Sequence, residues 1–345
     1  MGLIDEIREQ PNVLQNWLDT RLATAHEIAQ TIRARQPKFV LLAGRGTSDH
    51  AGVYAQYVWG SLNRIPVALA APSLFSCYGQ VPALQDGLVV GLSQSGKSPD
   101  IVSVLEEGRR QNALTLAITN DPQSPLAQTA DMVLPLQAGV EKAVAATKTY
   151  TAELMAVAAI AAAWSDAPEH IAELSRVPEA ARQALEQDAA AGAIAAGHAA
   201  LKQCIVLGRG YNYATALEWA LKLKELTYVF ADAYSTVDFQ HGPIAIAEPG
   251  LPVFAIANQG PVLSDLLALL TVLRDQHHAE LVVIADNPQA QALSQRTLRI
   301  PPGLPEWLTP LVSIIPGQLY CYHLTQARGH NTEAPRTIQK VTLTR

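Results

Sequence analysis

LVVGLSQSGKSPD, running from Leu88 to Asp100, sets a continuous apolar segment, a loop with three hydroxyls and a glycine, and a Ser-Pro pair in immediate succession. An unbroken apolar run of this length suits a strand buried on both faces, the kind found in parallel sheets. Ser98 fits a helix N-cap and Pro99 the first helical position, so a helix is expected to begin there. The free N–H groups of its first turn, with Ser93, Gln94, Ser95 and Ser98, supply uncharged donors at the carboxyl edge of the sheet. That combination is a phosphate-sized anion site. An ordinary serine-rich turn needs one capping hydroxyl, and the additional ones favour an anion.

Outward from this turn the same grammar recurs. Short apolar runs at Phe39–Ala43, Val67–Ala71, Leu114–Ile118 and Met132–Leu136 alternate with amphipathic helical patterns around Ser48–Leu62 and Pro99–Gln111. Strand and helix in alternation predict an α/β doubly wound parallel sheet. Ahead of it, apolar residues spaced by three and four predict a helix over Asn12–Arg35, with Pro11 near its start. An Ala-rich middle, Thr147–Leu201, reads as connecting helices interrupted at Ser165–Pro168 and near Ala191–Gly192.

The second half repeats the first. FVLLAGRG, ending at Gly46, resembles CIVLGRG ending at Gly210, and LVVGLSQSG, ending at Gly96, resembles PVFAIANQG ending at Gly260, each pair lying 164 residues apart. One offset shared by two separated segments predicts a duplicated domain. The copies differ in chemistry: Ser93, Gln94, Ser95 and Ser98 become Ala257, Asn258, Gln259 and Val262.

Composition narrows the function. The 345 residues are 49% hydrophobic and 16% charged, with 25 basic against 31 acidic side chains and a net charge of −6. This predicts a packed, soluble chain with no basic field for nucleic acid. The longest apolar run, Leu154–Trp164, is too short to span a bilayer and reads as a buried helix. Three cysteines without CxxC spacing, and an acidic amino terminus with no signal-like region, predict a cytoplasmic protein. Nine histidines form no HExxH or i,i+4 pair, and adjacent His277 and His278 read as a polar helix end, so no metal is expected. GRGTS at Gly44–Ser48 is a second strand-to-helix turn. Neither it nor SQSGKS has Walker or GxGxxG spacing, which removes the usual support for a nucleotide, and no cofactor is expected.

Three other segments resist a packing explanation. In ALEWALKLKELTY, Lys222 and Glu225 are three apart and share a helix face, a spacing equally typical of solvated surface pairs. HGP places His241 before a turn, and PRTIQKVTLTR would ordinarily be a frayed tail.

Together these motifs resemble the SIS (sugar isomerase) family, in particular the isomerase half of glutamine-fructose-6-phosphate aminotransferases and the stand-alone SIS-type glucosamine-6-phosphate deaminases. The resemblance runs from EQPN at Glu9–Asn12 through GRGTSDHA, SQSGKSPD, ATKTYTAEL, LGRG, ALKLKE, QHGP and PRTIQKVT. It implies two tandem SIS domains, at 37–190 and 191–330, after an amino-terminal helical segment (1–36) and before an active-site tail (331–345). It assigns Ser93, Gln94, Ser95 and Ser98, with Thr47 and Ser48 nearby, to a sugar 6-phosphate. Glu225 becomes the proton carrier between C1 and C2, and His241 the ring-opening group. Lys340 becomes the lysine that forms a Schiff base with a ketose or contacts the open sugar, and Lys222 tunes the proton network. Because the family's His loop reaches the neighbouring subunit, a homodimer with shared sites is implied.

Departures from the aminotransferase pattern are Arg45 for Cys, Lys97 for Glu, Trp219 for Gly, and VDFQHGP for GELKHGP. Arg45 and Lys97 either alter the substrate pocket or are solvent-facing charges. About forty residues precede the sugar-binding region, too few for a glutaminase domain, so glutamine is not the expected nitrogen source. The leading expectation is conversion of glucosamine 6-phosphate to fructose 6-phosphate and ammonia. The alternatives are a phosphorylated-fructosamine deglycase, an ammonia-dependent fructose-6-phosphate aminotransferase and a non-catalytic sugar-phosphate-binding regulator. Retention of Glu225, His241 and Lys340 argues for an enzyme, and the first forty residues lack the basic helix-turn-helix a transcriptional regulator would want.

Overall fold

In the computed structural model, which describes residues 2–165, 167–294 and 296–340, the two halves form two parallel sheets. The first contains β1 (Phe39–Ala43), β2 (Val67–Leu69), β3 (Gly87–Leu92), β4 (Leu114–Thr119) and β5 (Met132–Pro135), ordered β2-β1-β3-β4-β5. The second contains β6 (Gln203–Gly208), β7 (Phe230–Ser235), β8 (Pro252–Ile256), β9 (Glu280–Ala285) and β10 (Arg296–Arg299), ordered β10-β9-β8-β6-β7. Counted from its own first strand, each sheet has the order 2-1-3-4-5. The fold is therefore α/β, a doubly wound sheet built twice.

The chain divides into two interleaved compact units. The first-sheet unit holds Asn12–Glu141, Lys148–Ser175 and the chain from Gln339 on; the second-sheet unit holds the residues up to Pro11, Lys142–Thr147 and Arg176–Ile338.

In the first-sheet unit β3 and β4 are buried at every position, which is why they read as unbroken apolar runs, whereas the edge strands β2 and β5 are short and only partly buried. Val89, Ala117, Val104, Leu105 and Leu126 meet in one core, where each fully buried Val or Leu contributes about 1.5–3 kcal/mol. The Ala-rich helix Lys148–Ser165 is buried from Lys148 to Ala163. Ala keeps its backbone accessible to neighbours, and Trp59 Nε1 donates to Val157 O at 3.0 Å and Asn63 Nδ2 to Ala161 O at 3.0 Å.

Two sequence expectations need correction. The amino-terminal helix runs over Leu3–Arg35, beginning well before Asn12, with Pro11 inside it. Proline cannot donate to the carbonyl four residues back, and here Gln10 Nε2 donates to Ile7 O instead, at 2.9 Å. The interruption expected near Ala191–Gly192 does not occur, because helix Asp188–Gly197 passes through it. A Cβ at Gly192 would make only ordinary van der Waals contact with the His323 ring of helix Pro310–Ala327, at 3.5 Å, so the glycine interrupts nothing.

In the second-sheet unit, Trp219 is fully buried, stacked on Phe254 at 5.1 Å and met edge-on by Tyr320 at 6.0 Å. Its bulk is admitted by Gly317, where a Cβ would come within 3.1 Å of the indole. This departure from the aminotransferase pattern is a core substitution. Among the described residues no helix is long and apolar enough to cross a membrane.

Candidate active site

Strand order locates the crevice in the first-sheet unit. β1 has β2 on one side and β3 on the other, so the connections leaving β1 and β3 diverge and open a gap beyond the strands' carboxyl ends. GRGTS leaves β1 and SQSGKS leaves β3, and Ala43 and Gly91 are partners in the β1–β3 register. The two turns singled out in the sequence therefore flank one crevice.

The Ser93–Ser98 turn is held by its own hydroxyls and by a required glycine. Ser93 Oγ accepts from Gly96 N–H at 3.2 Å and Ser95 Oγ from Lys97 N–H at 3.3 Å. Gly96 has φ +62, and a Cβ there would sit 2.1 Å from Ser124 Oγ, so any other residue meets both strain and collision. Helix Pro99–Arg110 starts where the sequence places it, with Ser98 at the N-cap, yet the Ser98 hydroxyl makes no capping bond. It and the half-buried Gln94 side chain remain available to a ligand, whereas Pro99 has no N–H and the N–H groups of Ile101 and Val102 both donate to Ser98 O.

On the facing turn the side chains divide. Thr47, the first residue of helix Thr47–Leu62, is half-buried at the crevice. Ser48 points inward, its hydroxyl donating to Glu153 Oε1 at 2.8 Å, so it braces the turn. Arg45 Nε pairs with Asp100 Oδ2 at 2.8 Å, the carboxylate buried and the guanidinium about half exposed. Arg45 thus ties the two turns together, while Lys97 is exposed. Lys340 lies in the same unit, its Nζ 2.6 Å from Glu141 Oε2. Glu141 is buried and also accepts from Thr149 N–H at 3.1 Å and Thr149 Oγ1 at 2.7 Å.

The acid–base candidates lie in the second-sheet unit. Helix Tyr213–Lys222 widens into a π-helical turn, Leu223–Thr227, which ends at Tyr228 in the left-handed region with φ 57 and ψ 25. Lys222 is 1% exposed, with Nζ 2.6 Å from Glu225 Oε2 and 3.3 Å from Glu218 Oε1. Burial opposes its charge, but the two carboxylates outweigh that and hold its pKa above the ordinary lysine value. Glu225, with 24% of its side chain exposed, lines a cavity of about 340 Å³. His241 caps helix Thr236–Gln240 and is exposed, outside that cavity. Among the described residues no group of three or more His, Cys, Asp or Glu side chains could hold a metal ion.

The structure therefore brings Ser93, Gln94, Ser95, Ser98 and Thr47 to one crevice, turns Ser48 into its support, and pairs Lys222 with Glu225. Sequence reading missed Glu218, Glu141, Asp100 and Tyr228. Glu218 stands i,i+4 from Lys222, a spacing that could have flagged it; Glu141, Asp100 and Tyr228 gain meaning only through partners distant in sequence.

A doubly wound sheet repeated along one chain, with a hydroxyl-lined turn at the switch point of one copy, defines the class. The chain belongs to the SIS family, whose SIS domain matches residues 35–163 and 199–327. Among its relatives, it is 31% identical over 348 residues to a glutamine–fructose-6-phosphate aminotransferase (isomerizing) of Legionella pneumophila (strain Paris), covering 98% of this chain and 57% of that protein. The chain thus spans little more than half the length of such curated relatives. Among solved structures, the C-terminal domain of glucosamine-fructose-6-phosphate aminotransferase from Francisella tularensis superposes with TM-score 0.87 at 28% identity, over 96% of this chain and 98% of that one. Glucosamine-6-phosphate deaminase from Thermotoga maritima matches at TM-score 0.76 and 20% identity over the full length of both chains, a likeness of fold.

Proposed function

We propose that the chain is an amino-sugar-phosphate isomerase and deaminase that converts glucosamine 6-phosphate and water to fructose 6-phosphate and ammonia. The observation that carries this reading is the buried Lys222, held charged against Glu225 at the edge of an open cavity. A regulator that only binds sugar phosphate has no use for a cavity-lining carboxylate held in place by a buried cation. The Ser93–Ser98 turn takes the 6-phosphate through neutral donors, and anchoring the unreactive end orients the reactive carbons.

His241 opens the ring by moving the proton between O5 and O1. Glu225 then removes the C2 proton of the open aldehyde and returns it to C1. One amine proton passes to O1 in the same exchange, so the C1 carbonyl becomes a hydroxymethyl group and the C2 amine an imine. Water adds to that imine and ammonia leaves, so atoms balance without an oxidant or reductant. Lys340, paired with Glu141, contacts the open sugar or exchanges with the imine at C2 to form a Schiff base, itself released by water.

In this reading the enzyme is a cytoplasmic homodimer, the exposed His241 serving the partner subunit's site, with SIS domains at 37–190 and 191–330 and a tail from 331 that supplies Lys340. Of that tail, residues 341–345 lie outside the described residues. The test is incubation with glucosamine 6-phosphate and, separately, with 6-phosphorylated fructosamines, following ammonia, free amino acid and ketose phosphate. Ammonia and fructose 6-phosphate in equal amounts from glucosamine 6-phosphate support the reading. Release of amino acid from the fructosamine alone identifies a deglycase, and binding without turnover identifies a regulator; either result overturns it.

A further inference from the structure

We propose that Tyr228 is a positioning residue that docks the carboxyl-terminal segment 330–338 as one wall of the cavity onto which Glu225 opens. Tyr228 holds this segment in three ways. Its Oη accepts from Arg336 N–H at 2.9 Å, its ring lies beneath the Arg336 guanidinium with 3.9 Å from Cζ to the centroid, and the His330 ring packs on it at 4.7 Å. The cavity has Lys224, Glu225 and residues 228–230 on one side and residues 336–338 on the other, all within the second-sheet unit. Segment 330–338 contains neither helix nor strand, and residues 336–338 are exposed, so it keeps its place through side-chain anchors.

The backbone at Tyr228 is itself informative. A tyrosine at φ 57 is uncommon, since a side chain there crowds the following carbonyl, and such conformations persist only when surrounding contacts over-determine them. Here the left-handed residue ends the π-helical turn that carries Glu225, and the turn puts the Tyr228 ring under the tail. π-helical turns cluster at functional sites because they re-aim side chains that a regular helix would space differently. One local distortion thus serves Glu225 and the segment facing it. The inference rests on Glu225 being the proton carrier, and it adds the device that closes the cavity around it.

The test compares Tyr228→Ala, Tyr228→Phe and Arg336→Ala with wild type, measuring kcat and KM for glucosamine 6-phosphate and amide hydrogen exchange over residues 330–340. Tyr228→Ala should speed exchange in that segment and lower kcat by about tenfold or more while KM changes by less than about twofold, because a misplaced wall costs orientation without removing the phosphate site. Tyr228→Phe keeps the ring under Arg336 and His330 and should retain most of the activity. Arg336→Ala alters an exposed side chain, and it carries the test should Tyr228→Ala fail to fold. Unchanged exchange in Tyr228→Ala and Arg336→Ala, or faster exchange at wild-type kcat, overturns the proposal. Glu225→Gln run in parallel separates the two claims: wild-type turnover in that variant rejects the role of Glu225, whereas the exchange rates judge the dock on their own.

Discussion

The turn after β3 and the turn after β8 occupy the same place in two sheets of the same order, yet their surroundings are opposite in polarity. At Ser93–Ser98 hydroxyls face the crevice, and the buried carboxylate of Asp100 is paired with Arg45. At Ala257–Val262 the Gln259 N–H is taken by Asp286 Oδ1 at 2.7 Å, and Asn258 Nδ2 donates to Ser313 Oγ at 2.7 Å. The Glu306 carboxylate lies so close to Gly260 that a Cβ there would overlap it. Burial and neighbouring Asp286 push Glu306 up to about 7. One copy is open to an anion and the other is furnished with carboxylates.

The difference reverses in the helix that follows the first strand of each sheet. The 164-residue offset that pairs Ser98 with Val262 also pairs Val58 with Lys222 and Ser61 with Glu225. Helix Thr47–Leu62 therefore carries an apolar and a hydroxyl side chain where the other copy carries buried Lys222 and its partner Glu225. Under the proposed function the duplicated scaffold divides the labour: one copy keeps the phosphate turn, the other keeps the proton carrier. Backbone topology survives such divergence because it rests on strand burial, whereas each chemical role rests on a handful of side chains that drift freely once the other copy supplies the function.

The comparison can be broken most sharply at the acid–base pair. Glu225→Gln should leave sugar-phosphate binding intact and reduce turnover about 10²- to 10⁴-fold, whereas Ser61→Ala at the equivalent position should change steady-state rates little. Equal losses in both would end the division of labour. Mixed dimers of Glu225→Gln and His241→Ala subunits should regain activity that neither has alone, read as rate against mixing ratio after joint refolding. The next effect is on binding: Ser95→Ala with Ser98→Val, the latter copying the second turn, removes donors to a dianion and should weaken affinity for a 6-phosphorylated sugar by about 100-fold. Titration calorimetry showing wild-type affinity would place the phosphate elsewhere.

A smaller, reciprocal result is expected from Val262→Ser. Restoring the hydroxyl should create no phosphate site while Asp286 and Glu306 remain, and phosphorus NMR or a ligand-soaked crystal showing phosphate at both turns would contradict the assigned polarity. The smallest effect is on stability. A carboxyl whose folded pKa is raised binds more protons folded than unfolded between about 4.5 and about 7, so its contribution to stability is lost as pH rises through that window. Glu306→Gln should flatten this part of the decline in thermal midpoint, and an unchanged slope would show that Glu306 does not titrate there.

Much of this was legible along the chain because it depends on local rules. Continuous apolar runs announce doubly buried strands, a Ser-Pro pair announces a helix start, and two segments at one offset announce a duplication; all three are present in the structure. Lys222 and Glu225 were readable as neighbours, since i,i+3 spacing is a property of the helix alone. What spacing could not decide was their environment: the same pair on a surface is a solvated ornament, and only burial of Lys222 against Glu218 gives it consequence.

Other features had no local signature. Gly192 reads as a helix breaker, yet helix Asp188–Gly197 runs through it, and Trp219 reads as a departure until Phe254, Tyr320 and Gly317 surround it. Ser48 carries the same hydroxyl as Ser98, yet one is spent on Glu153 and the other left available to a ligand. The amino-acid sequence by itself determined the periodicities, the turns and the inventory of chemical groups, because these follow from each residue and its near neighbours. The tertiary structure decided which groups are buried, which are paired and which remain open to a ligand, because desolvation and hydrogen bonding depend on atoms brought together from distant parts of the chain.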